Sequence, residues 1–135
     1  MKKKSILMSA AFIIAIGGGM LLYNATGTAE PAAYHKISPQ EAKLIMDGGK
    51  PYILLDVRTD SEFMEKHIAG AILIPVYEIT AHADSKLPDK NALILVYCRS
   101  GRRSTNAAKE LVRIGYTKVY DFGGIIDWPY ETVSR

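Results

Sequence analysis

From Tyr34 onward, hydrophobic residues gather into short unbroken runs, and the segments between them carry helical spacing. Tyr34-His35-Lys36-Ile37 reads as a short strand. Ser38-Pro39-Gln40-Glu41 then opens a helix, with Ser38 as N-cap, Pro39 in the first helical position and Glu41 closing a capping box. Leu44 and Ile45 give that helix an apolar face, and Gly48-Gly49 stop it. Tyr52 to Val57 is an apolar run of strand length without alternation, the signature of a strand buried on both faces. Asp60 to Lys66 follows as a short helix, Ala71 to Ile74 as a third buried run closed by Pro75, and Tyr77 to Ala83 as a helical turn. Ala92 to Tyr97 is the strongest strand signal in the chain. Ser104 to Ile114 is a helix stopped by Gly115, and Lys118 to Asp121 is the fifth strand. Strands alternating with helices predict βαβ units and a mostly parallel sheet covered on both faces.

The first run of the chain is of another kind. Lys2-Lys3-Lys4 precede Ile6 to Ile16, and Met20 to Tyr23 extend the stretch beyond Gly17-Gly18-Gly19. Positive charge followed by an apolar run matches an export signal and keeps the N-terminus inside. Ile6 to Tyr23 is 18 residues, which as a helix would measure about 27 Å against a hydrocarbon core of ~30 Å. That length fits both a cleavable signal and a membrane anchor, with Gly27-Thr28-Ala29 as a weak cleavage site. The expected organisation is therefore residues 1–29 as signal or anchor, 30–33 as linker and 34–135 as one domain outside the cytoplasm, touching the membrane only through the first segment if it is retained. The domain is expected to be a monomer.

Charge and composition narrow the function. The net charge of the chain is +3. Lys2, Lys3 and Lys4 against Glu30 account for +2 of it, so the domain is close to neutral and lacks the basic excess of a nucleic-acid surface. One cysteine excludes an internal disulfide and a Cys-based zinc cage. His35, His67 and His82 show no i,i+4 pairing, so no metal site is expected.

Cys98-Arg99-Ser100-Gly101-Arg102-Arg103-Ser104 carries the chemistry. A buried strand delivers Cys98 to its carboxyl end, where open α/β sheets bind ligands. The loop that follows, with Gly101 free to take unusual backbone angles, runs into a helix N-terminus, so successive amides and the helix dipole converge on one negative atom. Arg99, Arg102 and Arg103 add permanent positive charge. This setting favours thiolate over thiol and reads Cys98 as a nucleophile, with Arg99, Ser100, Gly101, Arg102 and Arg103 as donor-binding residues. Asp56 and Arg58 end the second strand on the same sheet edge. They could tune the thiolate or bind an anionic donor, but read first as structural residues near the site, in an ion pair that fixes the following turn, for instance Arg58 with Glu62. His67 reads as a hydrogen-bonded structural residue and Trp128 as packing.

The stretch Ser38–Trp128 resembles a single rhodanese-type sulfurtransferase domain. The resemblance rests on Leu55-Asp56-Val57-Arg58 with Glu62-Phe63, His67-Ile68-Ala69-Gly70-Ala71 with Ile74-Pro75, the Tyr97–Ser104 segment, and Phe122-Gly123-Gly124-Ile125 with Trp128. It implies a three-layer α/β/α domain with a five-stranded, mainly parallel sheet. It also implies a Cys98 persulfide cradled by the amides of residues 99–103, with a small anionic sulfur donor, a thiol or cyanide acceptor and no cofactor. Four residues separate Cys98 from Arg103. The related dual-specificity phosphatases have a loop one residue longer, so the length favours sulfur over phosphate. An arsenate reductase would want a resolving cysteine that the chain lacks, and a non-enzymatic sulfur carrier or redox-partner binding module is the other alternative. Lys66 stands where the family often has Gly.

Overall fold

The computed structural model describes residues 12–16, 19–23 and 33–135. The chain divides into two compact units, Met1–Pro31 and Ala32–Arg135. In the first, β1 (Phe12–Ile16) pairs antiparallel with β2 (Gly19–Tyr23). The helical length reckoned for the leader thus meets strands at these positions, where Ile13, Ile14 and Ile16 favour extended backbone. Among the described residues no helix is long and apolar enough to cross a membrane.

The second unit is built on a five-stranded sheet. Its strands are β3 (His35–Lys36), β4 (Ile53–Asp56), β5 (Ile72–Leu73), β6 (Leu93–Cys98) and β7 (Lys118–Gly124). They lie in the order β3-β7-β6-β4-β5, and every pairing is parallel. Among the described residues four α-helices complete it: α1 (Pro39–Asp47), α2 (Asp60–Glu65), α3 (Ile79–Lys86) and α4 (Arg102–Arg113). This is the three-layer α/β/α architecture expected.

Side-chain alternation along the central strands divides the core. Ile94, Val96 and Cys98 of β6 pack with Ala83 of α3 and with Ala107, Ala108 and Leu111 of α4. Leu95 and Tyr97 point to the other face, against Ala42 of α1 and Phe122, Ile125 and Trp128 of the C-terminal segment. Both faces of β6 are therefore dry, which is why its sequence runs apolar without alternation.

Local signals explain the helix starts. Ser38 caps α1 and Thr59 caps α2, and each is answered by a glutamate three residues on, Glu41 and Glu62, in a full capping box. Three expectations need correction. The run at Ala71–Ile74 holds only a two-residue edge strand, with Ile72 exposed, because β5 has a neighbour on one side alone. Helix α4 begins at Arg102 rather than Ser104, since the left-handed Gly101 (φ +107°) already turns the chain into it. Strand β7 continues past Asp121 to Gly124 and so reaches the level of Cys98.

Candidate active site

Cys98 is the last residue of β6 and is buried, 1% exposed. Its Sγ receives the backbone N–H of Gly101 at 3.0 Å and donates to the Ser104 hydroxyl at 3.5 Å. The tight curl that brings Gly101 back to the sulfur depends on two glycines. Gly101 takes a positive φ. Gly124 leaves room for the loop, since a Cβ there would stand 2.1 Å from the Arg99 carbonyl oxygen and 2.6 Å from the Ser100 Cα. The Ile126 N–H then donates to the Arg99 carbonyl at 3.2 Å and holds the loop against the C-terminal segment.

A second layer of polar contacts steadies the curl. Ser104, fully buried, donates its hydroxyl to the Gly101 carbonyl at 3.0 Å, with the Gly123 carbonyl 3.4 Å away. The Thr105 hydroxyl lies 3.0 Å from the Gly101 carbonyl oxygen and 2.8 Å from Asp121 Oδ2, and Asp121 Oδ1 accepts the Gly123 N–H at 3.0 Å. Buried polar groups of this kind are tolerated because each has its partner.

The arginines do not act as one group. Arg99 and Arg102 are exposed and form no ion pair among the described residues. Arg99 lines a hollow of about 220 Å³ together with Arg58, Glu62 and Ile126. Arg102, Ser100 and Gly101 face another hollow, with Lys36 and Asp121. Arg103 is half-buried and bidentate to Glu62, Nη1 to Oε1 at 2.8 Å and Nη2 to Oε2 at 2.9 Å. The guanidinium, helped by the Thr59 cap and opposed by partial burial, holds the Glu62 carboxyl down at about 2. The same hydrogen bonds raise Arg103 above its ordinary value.

Asp56 and Arg58 pair with each other, and the ion pair suggested for Arg58 with Glu62 is corrected. Arg58 binds Asp56, not Glu62: Nη2 is 2.7 Å and Nε 3.0 Å from the carboxylate, both side chains are almost fully buried, and a further bond runs from Nη2 to the Lys66 carbonyl at 2.6 Å. Glu62 is already engaged by Thr59 and Arg103. Burial, with the Asp56 charge beside it, pushes the Tyr97 hydroxyl well above its ordinary range. That hydroxyl accepts the Ile68 N–H at 3.1 Å. His67 is structural, its Nδ1 2.8 Å from the Phe63 carbonyl and its ring stacked on Phe63. Trp128 packs between Phe122 and Tyr130.

Ser104, Glu62 and Gly124 had no site role in the sequence reading. Ser104 follows the loop at the first turn of a helix, a position where a small polar residue can serve the loop. Gly124 makes room for a neighbouring backbone, which its place beside Gly123 does not announce.

A parallel α/β sheet whose central strand ends in a cysteine, followed by a short loop into a helix N-terminus, places that cysteine at the carboxyl edge where such sheets carry their sites. The chain matches the description of the rhodanese-like domain over residues 38–129 and belongs to that family. The thiosulfate sulfurtransferase PspE of Escherichia coli is 40% identical over 73 residues, which cover 54% of this chain and 70% of PspE. The adenylyltransferase and sulfurtransferase UBA4 of Candida albicans is 33% identical over 107 residues, 74% of this chain but 24% of that longer protein. Among solved structures, a rhodanese with anions from E. coli superposes with a TM-score of 0.60 at 35% identity, covering 63% of this chain and 100% of that one. A rhodanese-like domain protein from Staphylococcus aureus gives 0.65 at 30% identity, covering 75% and 98%. Sulfur transfer is the chemistry these relatives support for this chain.

Proposed function

We propose that the protein moves sulfane sulfur from thiosulfate or a persulfide to cyanide or a thiol through a persulfide on Cys98. The observation that carries this is the Gly101 N–H aimed at Cys98 Sγ from 3.0 Å, in a loop that opens directly into α4. In the first displacement the Cys98 thiolate attacks the outer sulfur of thiosulfate. A sulfur–sulfur bond forms, the donor's sulfur–sulfur bond breaks, and sulfite leaves with its electron pair. In the second, the acceptor attacks the outer sulfur of the persulfide and Cys98 thiolate departs. Both steps place negative charge where the Gly101 amide and the dipole of α4 stabilise it. We assign the hollow lined by Arg99, Arg58 and Glu62 to the donor, with Arg99 as its cation, while Ser100 and Arg102 line a separate hollow. Covalent transfer of this kind gives ping-pong kinetics. Initial rates with thiosulfate and cyanide varied together should give parallel double-reciprocal lines; intersecting lines would contradict it.

The same reading places the domain outside the cytoplasm, on the strength of Lys2–Lys4 and the apolar run that follows. A reporter active only outside the cytoplasm, fused after Arg135, should give signal. A silent reporter with full-length fusion present would refute the location. In such a compartment a lone reactive thiolate is readily capped, so protein taken from it should carry persulfide or a mixed disulfide on Cys98 until reduced.

A further inference from the structure

The rim of the donor hollow has an unusual charge balance. Its cations are Arg58, Lys66 and Arg99, joined by Arg103 behind Glu62. Its carboxylates are Glu62 and Glu65, joined by Asp56 behind Arg58. Arg58 is matched by Asp56 in a buried pair, Arg103 by Glu62 in a bidentate one, and Lys66 stands next to Glu65 in sequence. One positive charge is left over in that sum, and the cations free to meet a ligand are Arg99 and Lys66, both exposed and in no ion pair among the described residues. Two isoleucines complete the lining. Ile125 is buried, and Ile126 offers a side chain 61% exposed.

We infer that Glu62 is a specificity-determining residue, and that by holding both terminal nitrogens of Arg103 it tunes the site toward an organic persulfide carrying at most one negative charge, over the thiosulfate dianion. The inference rests on the sulfurtransferase reading above and names its donor class. One surplus cation suits one anionic charge, and a second charge on the donor would meet the Glu62 carboxylate. The two isoleucines suit a carbon stem, which thiosulfate lacks. Glu62 is ionised at every working pH, so this bias is permanent. The loading step balances without any further reactant. The Cys98 thiolate bonds to the outer sulfur of R–S–SH, the donor sulfur–sulfur bond breaks, and R–S⁻ leaves with the electron pair while the hydrogen stays on the transferred sulfur.

The test compares single-turnover loading of reduced full-length protein by thiosulfate and by 2-hydroxyethyl persulfide, read as added sulfur on Cys98 by intact mass. Glu62→Gln removes the charge but keeps a residue able to close the capping box with Thr59. It should raise the ratio of thiosulfate to persulfide loading by about tenfold, the order expected for one unit charge at a water-exposed rim. Glu62→Asp keeps the charge and should leave that ratio within about twofold of the parent, even if it lowers both rates. Wild-type protein needs no refolding check and gives a second readout: added salt should slow thiosulfate loading only shallowly, and more steeply in Glu62→Gln. An unchanged ratio in Glu62→Gln, or an equal shift in Glu62→Asp, would overturn the inference while the sulfurtransferase reading stood. No added sulfur from either donor in the wild type would overturn both.

Discussion

Two arginine–carboxylate pairs flank the loop, and they differ in burial more than in geometry. Arg58 and Asp56 are 3% and 0% exposed, closed under Tyr97 and the Lys66 carbonyl. Arg103 and Glu62 meet at the same short distances, but their side chains are 31% and 24% exposed. Water decides what each can do. The buried pair cannot exchange partners without leaving a charge in a dry interior, so it fixes the end of β4 and the turn into α2. The outer pair can open toward solvent at small cost, so it is free to respond to what enters the site. The residue types alike at both positions do not disclose this difference; the register does. Asp56 pairs with Tyr97 across β4 and β6, deep in the sheet, whereas Glu62 sits one helical turn outside it.

The comparison can be broken most forcefully at Arg58. Arg58→Ala strands the Asp56 carboxylate, and unfolding by denaturant should show a loss of about 3–5 kcal/mol. Arg103→Ala should cost at most about 1 kcal/mol in the same measurement, because its partner stays solvated. Equal losses would show that the two pairs share one role.

Gly124→Ala should invert that order of effects. The added methyl group drives the Arg99–Ser100 backbone away, so transfer should fall by roughly a hundredfold, as misplacement on the ångström scale does. The thermal midpoint should move far less than in Arg58→Ala. A fully active Gly124→Ala variant would show that the loop need not hold the curl seen here.

Arg103→Ala also unmasks the Glu62 charge at the donor hollow. The Michaelis constant for thiosulfate should rise by about tenfold, with kcat changed much less. A fall in kcat at constant Michaelis constant would instead place Arg103 on the transition state.

The smallest effect is in acid. Glu62 has a folded value of about 2 against an ordinary 4.5. Its contribution is present above 4.5 and is lost as pH falls toward 2, because the unfolded chain takes up the proton first. Glu62→Gln should therefore flatten the stability–pH curve in that window and leave it unchanged near neutrality in slope. A parallel curve for parent and variant would refute the depressed carboxyl.

The sequence made the layers legible because β4 and β6 are dry on both faces, and an unbroken Ile94-Leu95-Val96-Tyr97 run admits few other readings. The place of Cys98 was legible for a related reason: the apolar run of β6 stops at it, and Arg-Ser-Gly-Arg-Arg leads on into α4. Partner choice was not legible. Arg58 had both Asp56 and Glu62 within a few residues, and only the three-dimensional register gives Glu62 to Arg103, 41 positions away. The separation of Arg99 from Arg102 was hidden too, since the loop with its turn at Gly101 leaves them lining two different hollows. Gly124 matters through a clash that no local pattern announces.

The central claim, sulfur carried on Cys98, is tested most directly by intact mass of the reduced protein before and after thiosulfate. The parent should gain about 32 Da, one sulfur atom, and lose it again on adding cyanide, as a covalent intermediate requires. Cys98→Ser should gain nothing and turn over nothing while keeping its fold, because a serine hydroxyl is no thiolate. Sulfur gained elsewhere in the chain, or turnover surviving in Cys98→Ser, would contradict the account.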